Sequence, residues 1–86
     1  MERTKAKAVL EAILFTMGDS VGIESLASVI EEDKKTTREI LEEMMQDYST
    51  EDKGIGLTML EDAVQMCTKG ELYEYLIKIA KAPKKF

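Results

Sequence analysis

Eighty-six residues suffice for one domain with one modest core, since natural domains run from about 50 to 200 residues. Hydrophobic side chains make up 44% of the chain and charged ones 34%, and no uncharged run approaches the ~20 apolar residues of a membrane-spanning helix, so a span of that kind is excluded. The net charge of −5 disfavours polyanionic partners, the lack of histidine removes the commonest general base and metal ligand, and Cys67 alone cannot form an intrachain disulfide.

The N-terminus, MERTKAKAVLEAILFTMG, has no separate apolar region ending in a small-residue cleavage site, and a cytoplasmic protein is expected. Residues 4 to 17 form the clearest helix. Ala6, Val9, Leu10, Ile13, Leu14 and Met17 recur at helical spacing on one face. Gly18 supplies a residue that can take positive φ at the helix end, and GDS makes the turn. Val21 is expected to make one isolated bridge to a sheet. Gly22 then caps a short second helix over about residues 23 to 31, buried through Ile23, Leu26, Ala27 and Ile30.

After the tight turn EED, Asp33 is a good N-cap for a third helix reaching about residue 49, with Thr37, Ile40, Leu41, Met44 and Tyr48 inward. STEDKG is a polar loop. Two strands follow at about 55 to 60 and 64 to 68. On the first, Ile55, Leu57 and Met59 point one way; on the second, Val64 and Met66 alternate with Gln65 and Cys67. Thr68 and Glu71 have the spacing of a capping box for a fourth helix to about residue 80. That helix is expected to bury Leu72, Leu76, Ile79 and Tyr73, with Lys78 and Lys81 at the negative end of its dipole. Pro83 stops it, so residues 1–81 read as one domain and 82–86 as the start of a linker toward a second domain.

Three helices, a hairpin and a C-terminal helix describe a winged helix-turn-helix, mainly α with a two-stranded wing. Such folds often read DNA through the third helix, and Lys34, Lys35 and Arg38 in KKTTR sit where base and phosphate contacts would arise. The same helix carries Glu39, Glu42, Glu43 and Asp47, and the wing tip is Glu61-Asp62. Affinity for duplex DNA comes largely from cations that displace counterions at several phosphates, a term this surface forfeits. No direct duplex binding is expected. The carboxylate pairs lack calcium-loop spacing, the GIG at 54 to 56 does not precede a helix, and Cys67 has no histidine partner. The reading is a non-enzyme with no cofactor, no metal and no catalytic residue.

One feature exceeds a solvated surface. Ala8, Ala12 and Phe15 lie at i, i+4 and i+7, nearly opposite the main apolar stripe of the first helix. A helix apolar on two sides is usually buried on two sides. Self-association through Ala8, Ala12 and Phe15 is expected, with Leu60 and Tyr75 as additions on strand alternation and helical phase.

KAVLEAILFTMGDSVGIESLASVI resembles the opening of the segregation and condensation protein B family, where a Leu-Phe-x-x-Gly-like step ends one helix and leads to a second. REILEEMMQDYSTEDKGIGLTMLEDAVQMCTKGELYEYLIKIAK is similar to its continuation, and APKK to the linker into that family's second winged-helix domain. The wing turn, often glycine-rich in the family, is Glu61-Asp62-Ala63 here.

The resemblance covers the whole chain but only the first half of such a protein. It implies a non-enzymatic subunit of the bacterial SMC–kleisin, condensin-like complex, acting in chromosome segregation and condensation. It further implies a homodimer made largely through this half, and a kleisin partner (segregation and condensation protein A) that links it to the SMC ATPase. Location would be cytoplasmic, at the nucleoid through the complex. Because the second half is expected to carry much of the kleisin contact, these residues alone are expected to bind it poorly. The alternative is a winged-helix transcriptional regulator that binds DNA as a dimer through Lys34, Lys35 and Arg38.

Overall fold

The computed structural model describes residues 1–79. The expected linker 82–86, Lys81 and the end of the fourth helix at residue 80 lie outside the described residues. Helix α1 is Arg3–Met17. Its N-terminus is held by the Glu2 carboxylate, which accepts from the Thr4 and Lys5 N–H groups at 3.0 and 2.9 Å. Those bonds hold the Glu2 carboxyl below the usual glutamate range. Gly18 ends the helix at φ 73°, where its N–H reaches the Leu14 carbonyl at 3.2 Å.

Strand β1 (Val21–Gly22) leads straight into α2 (Ile23–Ile30), with Gly22 at the N-cap. The turn to α3 (Lys34–Asp47) passes through Glu31 at φ 59°, a left-handed conformation uncommon outside glycine, and brings the Glu32 N–H to the Ala27 carbonyl at 3.0 Å. Asp33 caps α3 as the sequence predicts, accepting from the Thr36 N–H at 2.7 Å. The buried Thr37 hydroxyl is satisfied by the Asp33 carbonyl at 2.8 Å.

Strands β2 (Ile55–Met59) and β3 (Ala63–Thr68) form the hairpin, paired from Ile55 with Thr68 to Met59 with Val64. Val21 pairs with Val64 and Gly22 with Ala63, so the isolated bridge and two-stranded wing of the sequence reading become a three-stranded antiparallel sheet, ordered β1-β3-β2. The element order and this sheet are those of a winged helix-turn-helix.

The core forms where α1, α2, α3 and the inner sheet face meet: Ala6, Leu10, Leu14, Ile23, Leu26, Ile30, Ile40, Leu41, Met44, Leu57, Val64 and Met66 are buried. Each large apolar side chain there contributes roughly 1.5–3 kcal/mol on burial. Val9, Ile13 and Tyr48 pack partly against it. Met17, expected inward, is exposed because it is the last residue of α1, past the end of the α1 stripe that the core covers.

The C-terminal part departs most from the sequence reading. Thr68 is the last residue of β3, Lys69 stands at the N-cap without a side-chain cap bond, and Gly70–Leu72 is a 3-10 turn. One α-helical turn follows, α4 (Tyr73–Leu76). Leu72 and Leu76 are half-buried, whereas Tyr73 and Ile79 are exposed rather than inward. A 3-10 start eclipses side chains three apart and does not maintain the single α-helical stripe assumed for a long helix.

Candidate interaction site

The two ends of the wing present different chemistry. At the tip, the Leu60 N–H donates to the Ala63 carbonyl at 2.7 Å around the two residues Glu61 and Asp62. Neither takes positive φ, so the turn is not one of the glycine-favouring hairpin types. The Asp62 carbonyl accepts from the Ile23 N–H at 2.8 Å, which ties the tip to the start of α2. The Arg38 guanidinium donates to the Glu61 carbonyl at 3.3 Å. The Asp62 carboxylate stands 3.5 Å from the Lys34 ammonium and 3.8 Å from Arg38.

Two of the three cations that could address DNA therefore face an anion of their own chain. Lys35, the third, is exposed on the first turn of α3. Along α3 the exposed Glu39 and Glu42 give an acidic outer surface. Glu43 and Asp47 are used internally: Lys7 lies 3.1 Å from Glu43 and 3.3 Å from Asp47, and Arg3 also pairs with Glu43. The Glu43 hydrogen bond raises the Lys7 pKa, and the same bond is foremost in lowering that of Glu43.

Further along this seam, the Tyr48 hydroxyl donates to Glu11. Partial burial first, and then Glu11, push the Tyr48 phenol up to about 12. Ala8 is exposed beside this pair, on the rim of a shallow pocket with Met44 and Lys53.

At the base of the wing the surface is apolar. Phe15 is 76% exposed and overhangs a groove walled by Gly18, Ile55, Met66 and Cys67. Cys67 is half-buried, with the Thr58 hydroxyl 3.9 Å from its sulfur. Ala12 is exposed on the same outer side of α1 as Ala8 and Phe15. Tyr75, in α4 beyond the base of β3, is exposed with the Lys78 ammonium 5.4 Å from its ring centre.

Leu60 is also exposed but sits at the tip, about 17 Å along β2 from the groove by strand rise. The five candidate interface residues thus form a face of α1, one side chain near the base and one at the tip, not a single patch. Ile77 and Ile79, which sequence reasoning did not place on a surface, are exposed as well. Their apolar character was legible; their exposure among the described residues was not. Among the described residues no group of three or more His, Cys, Asp or Glu is placed to hold a metal, and no helix is long and apolar enough to cross a membrane.

The chain is similar in sequence and fold to known proteins. The family described as segregation and condensation complex subunit ScpB matches residues 8–86. Segregation and condensation protein B of Lachnoclostridium phytofermentans is 46% identical over 85 residues, 99% of this chain and 45% of that protein. Its counterpart in Agathobacter rectalis is 49% identical over 80 residues, 92% of this chain and 43% of the relative. The chain spans less than half the length of these relatives.

Among solved structures, a dimer of an ScpB N-terminal domain complexed with an ScpA peptide superposes with a TM-score of 0.83 at 35% identity, covering 90% of this chain and 96% of that one. ScpB from Mycobacterium tuberculosis gives 0.83 at 25% identity, covering 100% of this chain and 55% of that one.

Proposed function

This chain belongs to the family of segregation and condensation complex subunit ScpB, and from that membership we propose that it is the dimerising half of a non-enzymatic subunit of a bacterial SMC–kleisin complex acting in chromosome segregation and condensation. One observation carries this reading. The fold matches, over nearly all of both chains, an N-terminal domain crystallised as a dimer with an ScpA peptide.

Residues 1–81 serve as the winged-helix domain and 82–86 as the start of a connector to a second domain. The support is that this chain covers 96% of an isolated N-terminal domain but less than half of the longer relatives. The dimer surface is the outer side of α1, Ala8, Ala12 and Phe15, extended by Tyr75 near the base of the wing; Leu60, expected to join it, stands apart at the tip. The partners are a second copy, the kleisin and, through it, the SMC ATPase, in the cytoplasm at the nucleoid.

The expectation that this half binds the kleisin poorly gives way. A related N-terminal domain is itself found complexed with an ScpA peptide, so this domain is assigned a kleisin contact of its own. The transcription-regulator reading through Lys34, Lys35 and Arg38 is not favoured, because the wing tip already engages Lys34 and Arg38. The test is co-purification of the tagged protein with the kleisin and SMC subunits, with calorimetry of this chain against a kleisin peptide. Joint elution and measurable heat are expected. Absence of both, with duplex DNA bound instead, overturns the reading in favour of the regulator.

A further inference from the structure

Among the described residues, the base of the wing leaves two apolar features uncovered. The first is the groove beneath Phe15, about 210 Å³ in volume and walled by Gly18, Ile55, Met66 and Cys67. Small-molecule sites occupy about 300–1,000 Å³, so this groove suits one or two side chains rather than a cofactor. The second is the chain that follows β3. There Tyr75 is 57% exposed, Ile77 43% and Ile79 92%.

The two features adjoin. Ile55, on the groove wall, is the register partner of Thr68, and the Lys69 N–H donates to the Gly54 carbonyl at 3.0 Å as the chain leaves the strand. The segment therefore departs from the rim of the groove. It does not turn back to fill it: α4 packs mainly on the 3-10 turn before it. The radius of gyration, 13.5 Å, exceeds the roughly 12 Å of a compact domain of this length. The long axis is 41 Å, although α1, the longest helix, spans only about 22 Å.

We propose that two copies of this chain exchange these segments, residues 75–79 of each seating Ile77 and Ile79 in the Phe15 groove of the other. The proposal rests on the dimer reading above and assigns surfaces to it. A second copy is the occupant because one chain supplies both halves of the contact. A two-fold axis then makes the contact twice, so two grooves and two apolar segments are covered together. The related N-terminal domain that this chain nearly spans is a dimer. A specific interface buries on the order of 1,200–2,000 Å², more than the groove alone provides. The exposed Ala8 and Ala12 continue from Phe15 along α1 and supply adjoining area.

Cys67 borders the groove, with its sulfur beside the Thr58 hydroxyl, and supplies a native thiol for the test. Ile79→Cys gives a chain with two thiols, which is oxidised with copper phenanthroline and run on a non-reducing gel, beside sedimentation of the wild type and Ile79→Glu. A covalent dimer is expected with Ile79→Cys, lost when Cys67→Ser is added and absent from a Val29→Cys control on exposed α2. Ile79→Glu is expected to shift the wild-type dimer to a folded monomer, its fold checked by circular dichroism. A wild-type monomer overturns the dimer reading and the exchange with it. A wild-type dimer that survives Ile79→Glu, or an Ile79→Cys bridge that closes within one chain, overturns the exchange alone.

Discussion

The tip of the wing is occupied by its own chain, whereas among the described residues the base is left open. At the tip, a carbonyl ties Asp62 to the start of α2, and its carboxylate faces Lys34 and Arg38, so the cations at the start of α3 meet an internal anion. At the base, Phe15, Ile77 and Ile79 stand in water around an apolar groove. Polar groups lose little by staying at a surface, but apolar area gains by leaving it. The difference teaches where a partner belongs. On the proposed reading the partner meets the apolar end and not the end whose cations face Asp62, so partner binding should respond to changes at the base far more than at the tip.

The largest effect separates the core from the base within two adjacent residues. Leu14 is fully buried and Phe15 is 76% exposed on the same helix. In dilute solution, where any dimer has dissociated, Leu14→Ala should cost about 2–5 kcal/mol through lost transfer energy and a residual cavity. Phe15→Ala should stay within about 0.5 kcal/mol, as surface changes usually do. Urea denaturation measures both. An equal loss for Phe15→Ala would make that ring part of the core and remove the open base from the comparison.

Next in size is the contrast between base and tip in self-association. Phe15→Glu should weaken the dimer at least about 100-fold, because two rings lose burial worth roughly 1.5–3 kcal/mol each. Leu60→Glu, at the tip, should change the dissociation constant much less. Sedimentation equilibrium of the two variants decides the matter, and the reverse ranking would place the interface at the tip.

A smaller effect comes from acid. Hydrogen bonds from backbone N–H groups hold Asp33 and Glu2 below the ordinary carboxylate range, and the Lys7 hydrogen bond does so for Glu43. Each folded-state pKa is depressed, so the associated stability is fully present above the unfolded values, about 4. It is lost as pH falls through the lower folded ones. Thermal melts should therefore be flat from pH 7 to about 5 and decline below about 4. Asp33→Asn should keep the cap and shallow the decline, since asparagine also caps but does not titrate. An unchanged decline in that variant would remove the α3 cap from the acid response.

Much of this architecture is legible in sequence where local rules and the fold agree. Helical spacing predicts the buried faces of α1, α2 and α3, Gly18 and Asp33 mark an end and a start, and alternation marks the hairpin. Three things escape such reading for physical reasons. Glutamate is a poor N-cap by preference, so the role of Glu2 follows from local geometry alone. Pairing of Val21 with Val64 and of Lys34 with Asp62 joins residues far apart in the chain, which no local pattern reports. For Leu72 to Ile79, apolar residues read as inward because a pattern says what needs cover, not which chain supplies it. Of the candidate site, the α1 face of Ala8, Ala12 and Phe15 was legible, and the groove beneath it was not.

The smallest expected effect lies at the tip. Lys34, Arg38 and Asp62 are all substantially exposed, and exposed ion pairs are worth roughly 0–1 kcal/mol. Asp62→Asn keeps the backbone carbonyl that receives the Ile23 N–H, so it should leave stability within about 0.5 kcal/mol of wild type. It also removes the anion that faces Lys34 and Arg38 without adding a cation, while Arg38 keeps its bond to the Glu61 carbonyl. Glu39 and Glu42 remain exposed on α3, and two or three cations are too few to offset that surface against a polyanion. Neither wild type nor Asp62→Asn should therefore shift duplex DNA in a mobility titration at about 150 mM salt. Micromolar binding by either, falling steeply with salt and abolished by Lys34→Glu with Arg38→Glu, would show that the start of α3 still reads phosphates despite the wing. The tip would then be a second partner surface, and the asymmetry between the two ends of the wing would fail.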